Sequence, residues 1–102
     1  MAFHIHMQHE EALQIALEGD LDIISASEMK TKVLDAYEEQ PSDLIFDLSA
    51  LNYLDSTGLG ALISILKNVK AQEHQITIRH AKSNVKKLFT ITELDQDFIL
   101  EA

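Results

Sequence analysis

The sequence predicts an α/β domain in which a small mixed β-sheet begins with an N-terminal hairpin and has helices packed against it. Two observations predict this class. Apolar and polar residues alternate in the first part of the chain, as in strands, and apolar residues later recur at helical spacing between short apolar runs. A strand, a helix and a second strand in that order imply a right-handed parallel crossover. The 102 residues suffice for one core, so we expect a single domain over residues 1–102.

The first two strands are predicted from large apolar side chains at every second position. Every second residue is apolar in residues 3–8 and again in residues 13–18, which is typical of strands with one solvated face. Because only a short segment at residues 9–11 joins them, we expect an antiparallel hairpin. Residues 19–22, with the sequence GDLD, are then expected to turn the chain.

The first helix is predicted over residues 26–39. Ser25 and Glu28 have the spacing of a capping box, in which the hydroxyl and the carboxylate accept hydrogen bonds from amides that lack an intrahelical partner. Pro41 prevents the helix from continuing. The side chains that we expect this helix to bury are Met29, Val33, Ala36 and Tyr37.

The remaining elements follow from apolar runs and helical periodicity. Residues 44–48 form a nearly continuous apolar run, which predicts a strand covered on both faces. After a loop through Asn52 we expect a second helix over residues 57–72 and a strand over residues 75–79. A third helix is expected to start near Ser83, and the C-terminal DFILEA to add a last apolar strand or helical turn. The apolar stripe of the second helix comprises Leu59, Leu62, Ile63, Leu66 and Val69.

The composition excludes several classes of function. Seventeen acidic and eight basic residues give a formal net charge of −9, and such a charge repels nucleic acid and anionic membranes, so we expect neither as a direct partner. A protein partner with basic contacts is favoured. The sequence has no cysteine for a disulfide framework or a thiolate metal site. Since it also has no signal-peptide pattern and no membrane-spanning apolar run, we expect a cytoplasmic protein.

Neither a cofactor nor a metal ion is expected. Gly58 and Gly60 precede a helix, but the third glycine of a dinucleotide-binding loop is replaced by Ile63, and no phosphate-loop lysine follows. His4 and His6 project to the same side of a predicted strand, yet two imidazoles seldom suffice for zinc. No other cluster in the sequence indicates a catalytic residue, so we expect a protein that is not an enzyme.

The segment Asp55-Ser56-Thr57-Gly58 lies where the second helix should begin. Its carboxylate and hydroxyls are typical of helix starts, where they accept hydrogen bonds from unpaired amides. Capping does not explain Gly58 and Gly60, because glycine costs about 0.5–1 kcal/mol relative to alanine inside a helix. We interpret both glycines as leaving the backbone open, so that another macromolecule can approach Ser56. A hydroxyl in this place is also a plausible phosphate acceptor.

At these residues the sequence resembles the STAS family, and within it the bacterial anti-sigma factor antagonists. The matching segments are LSALNYLDSTGLG at residues 48–60, GDLD at residues 19–22 and KLFTITEL at residues 87–94. The resemblance covers essentially the whole chain. Two departures are mild: Asp20 stands where relatives usually carry glutamate, and Leu54 where methionine is common.

The resemblance implies a regulatory switch in sigma-factor control of transcription, for example in a stress response. In this family the serine after the motif's aspartate is phosphorylated by an anti-sigma factor that is also a serine kinase; here that residue is Ser56. The unphosphorylated antagonist binds this kinase and frees the sigma factor, phosphorylation abolishes the binding, and a serine phosphatase restores it. The residues expected to contact the partner are Asp22, Asp55, Ser56, Thr57, Gly58, Leu59 and Gly60.

Two alternatives stay open from the sequence. The chain could be a STAS scaffold or accessory subunit of a larger regulatory complex that phosphorylation does not control. It could also be a small hydrolase that uses Ser56, although Leu54 occupies a position where a nucleophile elbow needs glycine, and no histidine is placed as a base. The sequence also leaves open whether Thr57 is a second phosphate acceptor.

Overall fold

The computed structural model describes residues 3–101. Within them the chain forms five strands and three α-helices, with one short 3₁₀ turn before the last strand. In chain order the elements are β1 (His4–His9), β2 (Leu13–Leu21), α1 (Ala26–Glu39), β3 (Leu44–Leu54), α2 (Ser56–Lys70), β4 (Ile76–Arg79), α3 (Ser83–Ile91), the 3₁₀ turn (Leu94–Gln96) and β5 (Ile99–Leu100). The predicted α/β class, the N-terminal hairpin and the mixed sheet are therefore confirmed.

The strands lie in the order β1-β2-β3-β4-β5, with β1 antiparallel to β2 and all later pairs parallel. Because this order never reverses, right-handed crossovers place α1, α2 and α3 on the same face of the sheet. The core lies between that face and the helices. No helix in the described part of the chain, residues 3–101, is long and apolar enough to cross a membrane.

The sheet is buried on one face only. Leu44, Phe46 and Leu48 of β3 are fully buried, whereas Ile45 and Asp47, which point to the opposite face, are half-buried. The prediction that this strand is covered on both faces is therefore wrong. An apolar run is typical of doubly covered strands, but the unreversed strand order supplies helices to one face alone.

Strands β2 and β3 both continue beyond their predicted ends. Pairing continues through Asp20 with Tyr53 and Leu21 with Leu54, so the predicted turn at residues 19–22 and the loop through Asn52 are mostly strand. The pairing register shifts twice, between Ala16 and Glu18 and between Gly19 and Asp20. These irregularities break the alternation that a sequence pattern relies on, and each strand is extended by its partner.

The helices lie close to their predicted positions. The bounds of α1 and the start of α3 are as expected, while α2 begins and ends slightly earlier than predicted. Helix α2 also buries Ile65, whereas Ile63, which we expected on the buried stripe, is half-buried, as is Ala36 of α1. The C-terminal segment forms the short edge strand β5.

Candidate functional site

The predicted site residues lie where β2 and β3 end and where α1 and α2 begin. Leu21 and Leu54 are paired neighbours at the ends of these strands, and the backbone N–H of Asp55 donates a hydrogen bond to the carbonyl of Leu21 at 3.2 Å. Asp22 and Asp55 each follow one member of this pair. The parallel pairing therefore brings the acidic GDLD segment beside the DSTG motif at one edge of the sheet, although many residues separate them in the sequence.

Asp55 is the residue that caps α2. Its backbone is extended, and its side-chain Oδ1 accepts a hydrogen bond from the N–H of Gly58 at 2.9 Å. Its carbonyl accepts from the N–H of Leu59 at 2.9 Å. Ser56 and Thr57 occupy the first two helical positions, and both are exposed. The cap therefore requires only the aspartate, and both hydroxyls lie at the surface of the first turn.

Asp22 organises the turn that leads into α1. Its Oδ1 accepts hydrogen bonds from the N–H groups of Ile24 at 3.0 Å and Ser25 at 3.2 Å. The buried Ser25 hydroxyl donates to the carbonyl of Asp20 at 2.8 Å and accepts from the N–H of Asp22 at 3.0 Å. The hydrogen bond from the Ser25 amide is the main cause that holds the pKa of Asp22 below its usual value. This carboxylate is therefore ionised at neutral pH.

The predicted capping box at Ser25 and Glu28 is wrong. The Ser25 side chain makes no capping hydrogen bond to α1, because its hydroxyl is already used within the preceding turn. The Asp22 carboxylate satisfies the amides of Ile24 and Ser25 instead. The capping group thus lies one turn earlier than the sequence pattern indicates.

The two glycines of the DSTGLG motif have different surroundings. A Cβ atom on Gly58 would lie 2.5 Å from the carbonyl oxygen of Leu21 and 2.9 Å from side-chain atoms of Leu21 and Leu54. A Cβ atom on Gly60 would have no neighbour within 4 Å. The interpretation that both glycines leave the backbone open is therefore wrong for Gly58, which is buried because α2 approaches β2 closely there. Packing does not require glycine at position 60.

The residues predicted to contact a partner differ in burial. Gly58 is buried, and the side chain of Leu59 belongs to the hydrophobic core. Both residues therefore pack inside the domain, beneath the exposed first turn of α2. Of the expected contact residues, Ser56, Thr57 and Gly60 are exposed, while Asp22 and Asp55 are partly exposed.

Three large apolar side chains near this edge were not among the predicted site residues. Ile23 is 73% exposed and Ile24 is 86% exposed, both in the turn between β2 and α1. Tyr53, near the end of β3, is 50% exposed. A signal for the isoleucines was present, because two adjacent apolar residues between an acidic pair and a helix start fit neither the strand nor the helix periodicity.

The histidines lie elsewhere. His4 and His6 share one face of β1, with ring centroids 6.4 Å apart, and His6 approaches Glu18 at 3.6 Å. His80 approaches Asp47 at 3.5 Å, and Asp47 lies well before the end of β3. Residues 3–101 contain no group of three or more histidine, cysteine or acidic side chains that could hold a metal ion. None of these imidazole contacts involves Ser56, so the contacts give no support to a hydrolase.

A family model for the STAS domain matches residues 6–102 of the chain. This chain belongs to the STAS family. The anti-sigma-B factor antagonist of Bacillus subtilis (strain 168) is 33% identical to this STAS protein over 87 residues, which cover 85% of the chain and 79% of that relative. The resemblance found in the sequence is therefore confirmed.

The solved structures with the same fold include two proteins named as anti-sigma factor antagonists. One from Mycobacterium paratuberculosis superposes with a TM-score of 0.85 at 21% identity, covering 97% of this STAS protein and 85% of that chain. The Bacillus cell fate determinant SpoIIAA in its phosphorylated form superposes with a TM-score of 0.75 at 20% identity, covering 99% of this STAS protein and 92% of that chain. At these identities the likeness establishes the STAS fold.

Proposed function

We propose that this STAS protein is an anti-sigma factor antagonist of the cytoplasm that acts by binding rather than by catalysis. Its unphosphorylated form binds an anti-sigma factor with serine kinase activity and so releases a sigma factor. Phosphorylation of Ser56 by that kinase abolishes the binding, and a serine phosphatase restores it. The supporting similarity is to a relative named for antagonism of an anti-sigma factor and to a fold relative solved in a phosphorylated form.

The exposed hydroxyl of Ser56 is the observation that carries the proposal. It lies in the first turn of α2, where Asp55 already caps the helix, so a kinase can reach it without opening the fold. The positive end of the helix dipole and the amides of the first turn tolerate added negative charge. Phosphorylation is therefore expected to leave the domain folded and to change its surface.

We expect the charge of the phosphate to weaken binding of the partner rather than to destabilise the fold. A phosphate on Ser56 adds about −1.5 to −2 charge at neutral pH to a surface that already holds Asp55 and the ionised Asp22. Within a docked interface, a charge that is desolvated without a counter-charge is strongly unfavourable. A loss of about 1.4 kcal/mol in binding free energy weakens affinity tenfold, and we expect one phosphate to weaken the complex by at least this much.

Phosphorylation can be tested with the anti-sigma kinases encoded in the same genome. The protein is incubated with each purified kinase and ATP, and mass spectrometry is expected to find one added phosphate, on Ser56. Ser56→Ala should prevent labelling, whereas Thr57→Ala, which changes the adjacent exposed hydroxyl in the same turn, should leave it intact. Labelling that persists in Ser56→Ala would refute the assignment of the acceptor. Failure of every kinase to label the wild-type protein would favour the scaffold alternative.

The effect of charge on docking needs a separate measurement. Ser56→Asp should raise the Kd for the kinase that labels Ser56 by tenfold or more, which corresponds to a loss of at least about 1.4 kcal/mol in binding free energy. Thr90→Asp adds the same charge to an exposed position in the last turn of α3, at the opposite edge of the sheet, and should leave the Kd unchanged. Equal effects of the two variants would count against a local electrostatic switch at Ser56.

A further inference from the structure

The turn before α1 presents two adjacent isoleucines to solvent. Ile23 and Ile24 are the two most exposed large apolar side chains in the described part of the chain, at 73% and 86%. Single apolar residues on a surface are common, but contiguous apolar side chains of this size often mark an interaction site. The folded protein itself gives them little to pack against, so their position requires another explanation.

Both isoleucines are held outward by an ordered turn. The Asp22 carboxylate accepts hydrogen bonds from the amides of Ile24 and Ser25, and the buried Ser25 hydroxyl joins Asp22 to the carbonyl of Asp20. The N–H of Ala26 then donates to the carbonyl of Asp22 at 2.9 Å. Because the backbone is already fixed, docking of these side chains loses little backbone entropy, which is a property of a preorganised anchor.

The surroundings of the isoleucines indicate the chemistry of the partner. A shallow groove beside Ile24 is lined by the carboxylates of Asp20, Asp22 and Glu28, with Phe3 as a second apolar wall. A second copy of this chain would bring these carboxylates against one another, and nucleic acid or an anionic membrane would be repelled by the net charge of −9. The complementary surface is an apolar depression bordered by arginine or lysine side chains.

We propose that Ile23 and Ile24 form the apolar anchor by which this protein docks into such a depression on its anti-sigma factor. This inference rests on the proposed function. The strand pairing that ends at Leu21 and Leu54 places the anchor at the same sheet edge as Ser56. The anchor and the phosphate acceptor thus belong to one docking surface. The isoleucines contribute the apolar area that docking buries, and phosphorylation of Ser56 regulates the docking.

The test uses the kinase that labels Ser56 of the wild-type protein as the binding probe. The double substitution Ile23→Ser and Ile24→Ser should raise its Kd by at least about tenfold, the effect typical of losing a central interface residue. Ile91→Ser is the matched control, because Ile91 is 67% exposed in the last turn of α3, near the opposite edge of the sheet. It should leave the Kd within about twofold of the wild-type value.

Two further measurements separate the possible outcomes. The double valine variant, Ile23→Val with Ile24→Val, should keep most of the affinity, and circular dichroism should show that the serine variant remains folded. A serine variant that is folded and binds like the wild type would overturn the anchor while leaving the proposed function intact. If no anti-sigma factor labels or binds the wild-type protein, the proposed function and the anchor both fail. A wild-type dimer in sedimentation that the serine variant disperses would identify a second copy as the occupant and overturn the proposal.

Discussion

Gly58→Ala should destabilise the protein, whereas Gly60→Ala, two residues later in the same helix, should stabilise it. The alanine Cβ at position 58 would lie 2.5 Å from the carbonyl oxygen of Leu21, which is a backbone atom and cannot rotate away. Side-chain atoms of Leu21 and Leu54 at 2.9 Å restrict the same space. Relief requires α2 to move away from β2. That movement would strain the hydrogen bond that Leu21 accepts from Asp55.

The two substitutions should change the free energy of unfolding in opposite directions. Overpacking a well-filled interior costs about 1–3 kcal/mol, and the better helix propensity of alanine returns about 0.5–1 kcal/mol. For Gly58→Ala we therefore expect a net loss of about 1–2 kcal/mol, because the clash involves backbone. At Gly60 a Cβ has no neighbour within 4 Å, so only the propensity gain of about 0.5–1 kcal/mol remains.

Urea denaturation followed by far-UV circular dichroism measures both free energies of unfolding, and thermal unfolding gives the same comparison. In a domain of this size, a change of 1 kcal/mol shifts Tm by about 4–8 °C, so the Tm values of the two variants should differ by about 6–24 °C. The reasoning would be refuted if Gly58→Ala were as stable as the wild type. It would also be refuted if Gly60→Ala lost as much stability as Gly58→Ala, since that would mean that glycine is needed for the helix start in general.

Two further predictions concern single carboxylates. Asp55→Ala should lower the free energy of unfolding in urea by about 0.5–2 kcal/mol, because the N–H of Gly58 loses its cap. Asp55→Asn should retain most of the stability, because asparagine is also a good N-cap residue. Equal losses in the two variants would show that the charge of Asp55, and not its capping hydrogen bond, stabilises the helix. Burial raises the pKa of Asp47, but hydrogen bonds from Ser49 and the nearby His80 outweigh it and hold the pKa below its usual value. The folded state therefore binds fewer protons than the unfolded state near pH 4, so the stabilisation from Asp47 is present above about pH 4 and is lost as pH falls through the folded pKa. Asp47→Asn should flatten the decline of Tm between about pH 5 and pH 3, and an unchanged decline would contradict this account.

In the proposed switch, some residues of one short motif stabilise the first turn of α2 and others are exposed for regulation. Asp55 caps α2, and Gly58 permits its close approach to β2, so these residues keep the first turn in place. Ser56 and Thr57 lie on the outer side of that turn and are exposed. A charge added to Ser56 is therefore expected to alter docking without unfolding the helix that carries it, which is the requirement for a reversible switch.

The local patterns of the sequence determined the order and type of the elements. Strict alternation predicted the β1–β2 hairpin, and helical spacing with Pro41 as a stop predicted the bounds of α1. The segment around the DSTGLG motif, together with residues 19–22 and 87–94, indicated the STAS family. These features depend on residues close together in the chain, where periodicity and cap chemistry act directly.

Tertiary structure decided which residues of the site are buried and what each of them contacts. The ends of β2 and β3 depend on their mutual pairing, and the burial of Gly58 depends on how closely Leu21 approaches it from another strand. Ser25 has the spacing of a helix cap, but its hydroxyl bonds within the preceding turn, and Ile23 of the same turn is exposed. Strand register and close packing join residues that are distant in the sequence, and local periodicity contains no information about either. The sequence therefore determined the family and the candidate acceptor, and only the folded chain distinguished the buried residues of the site from those at its surface.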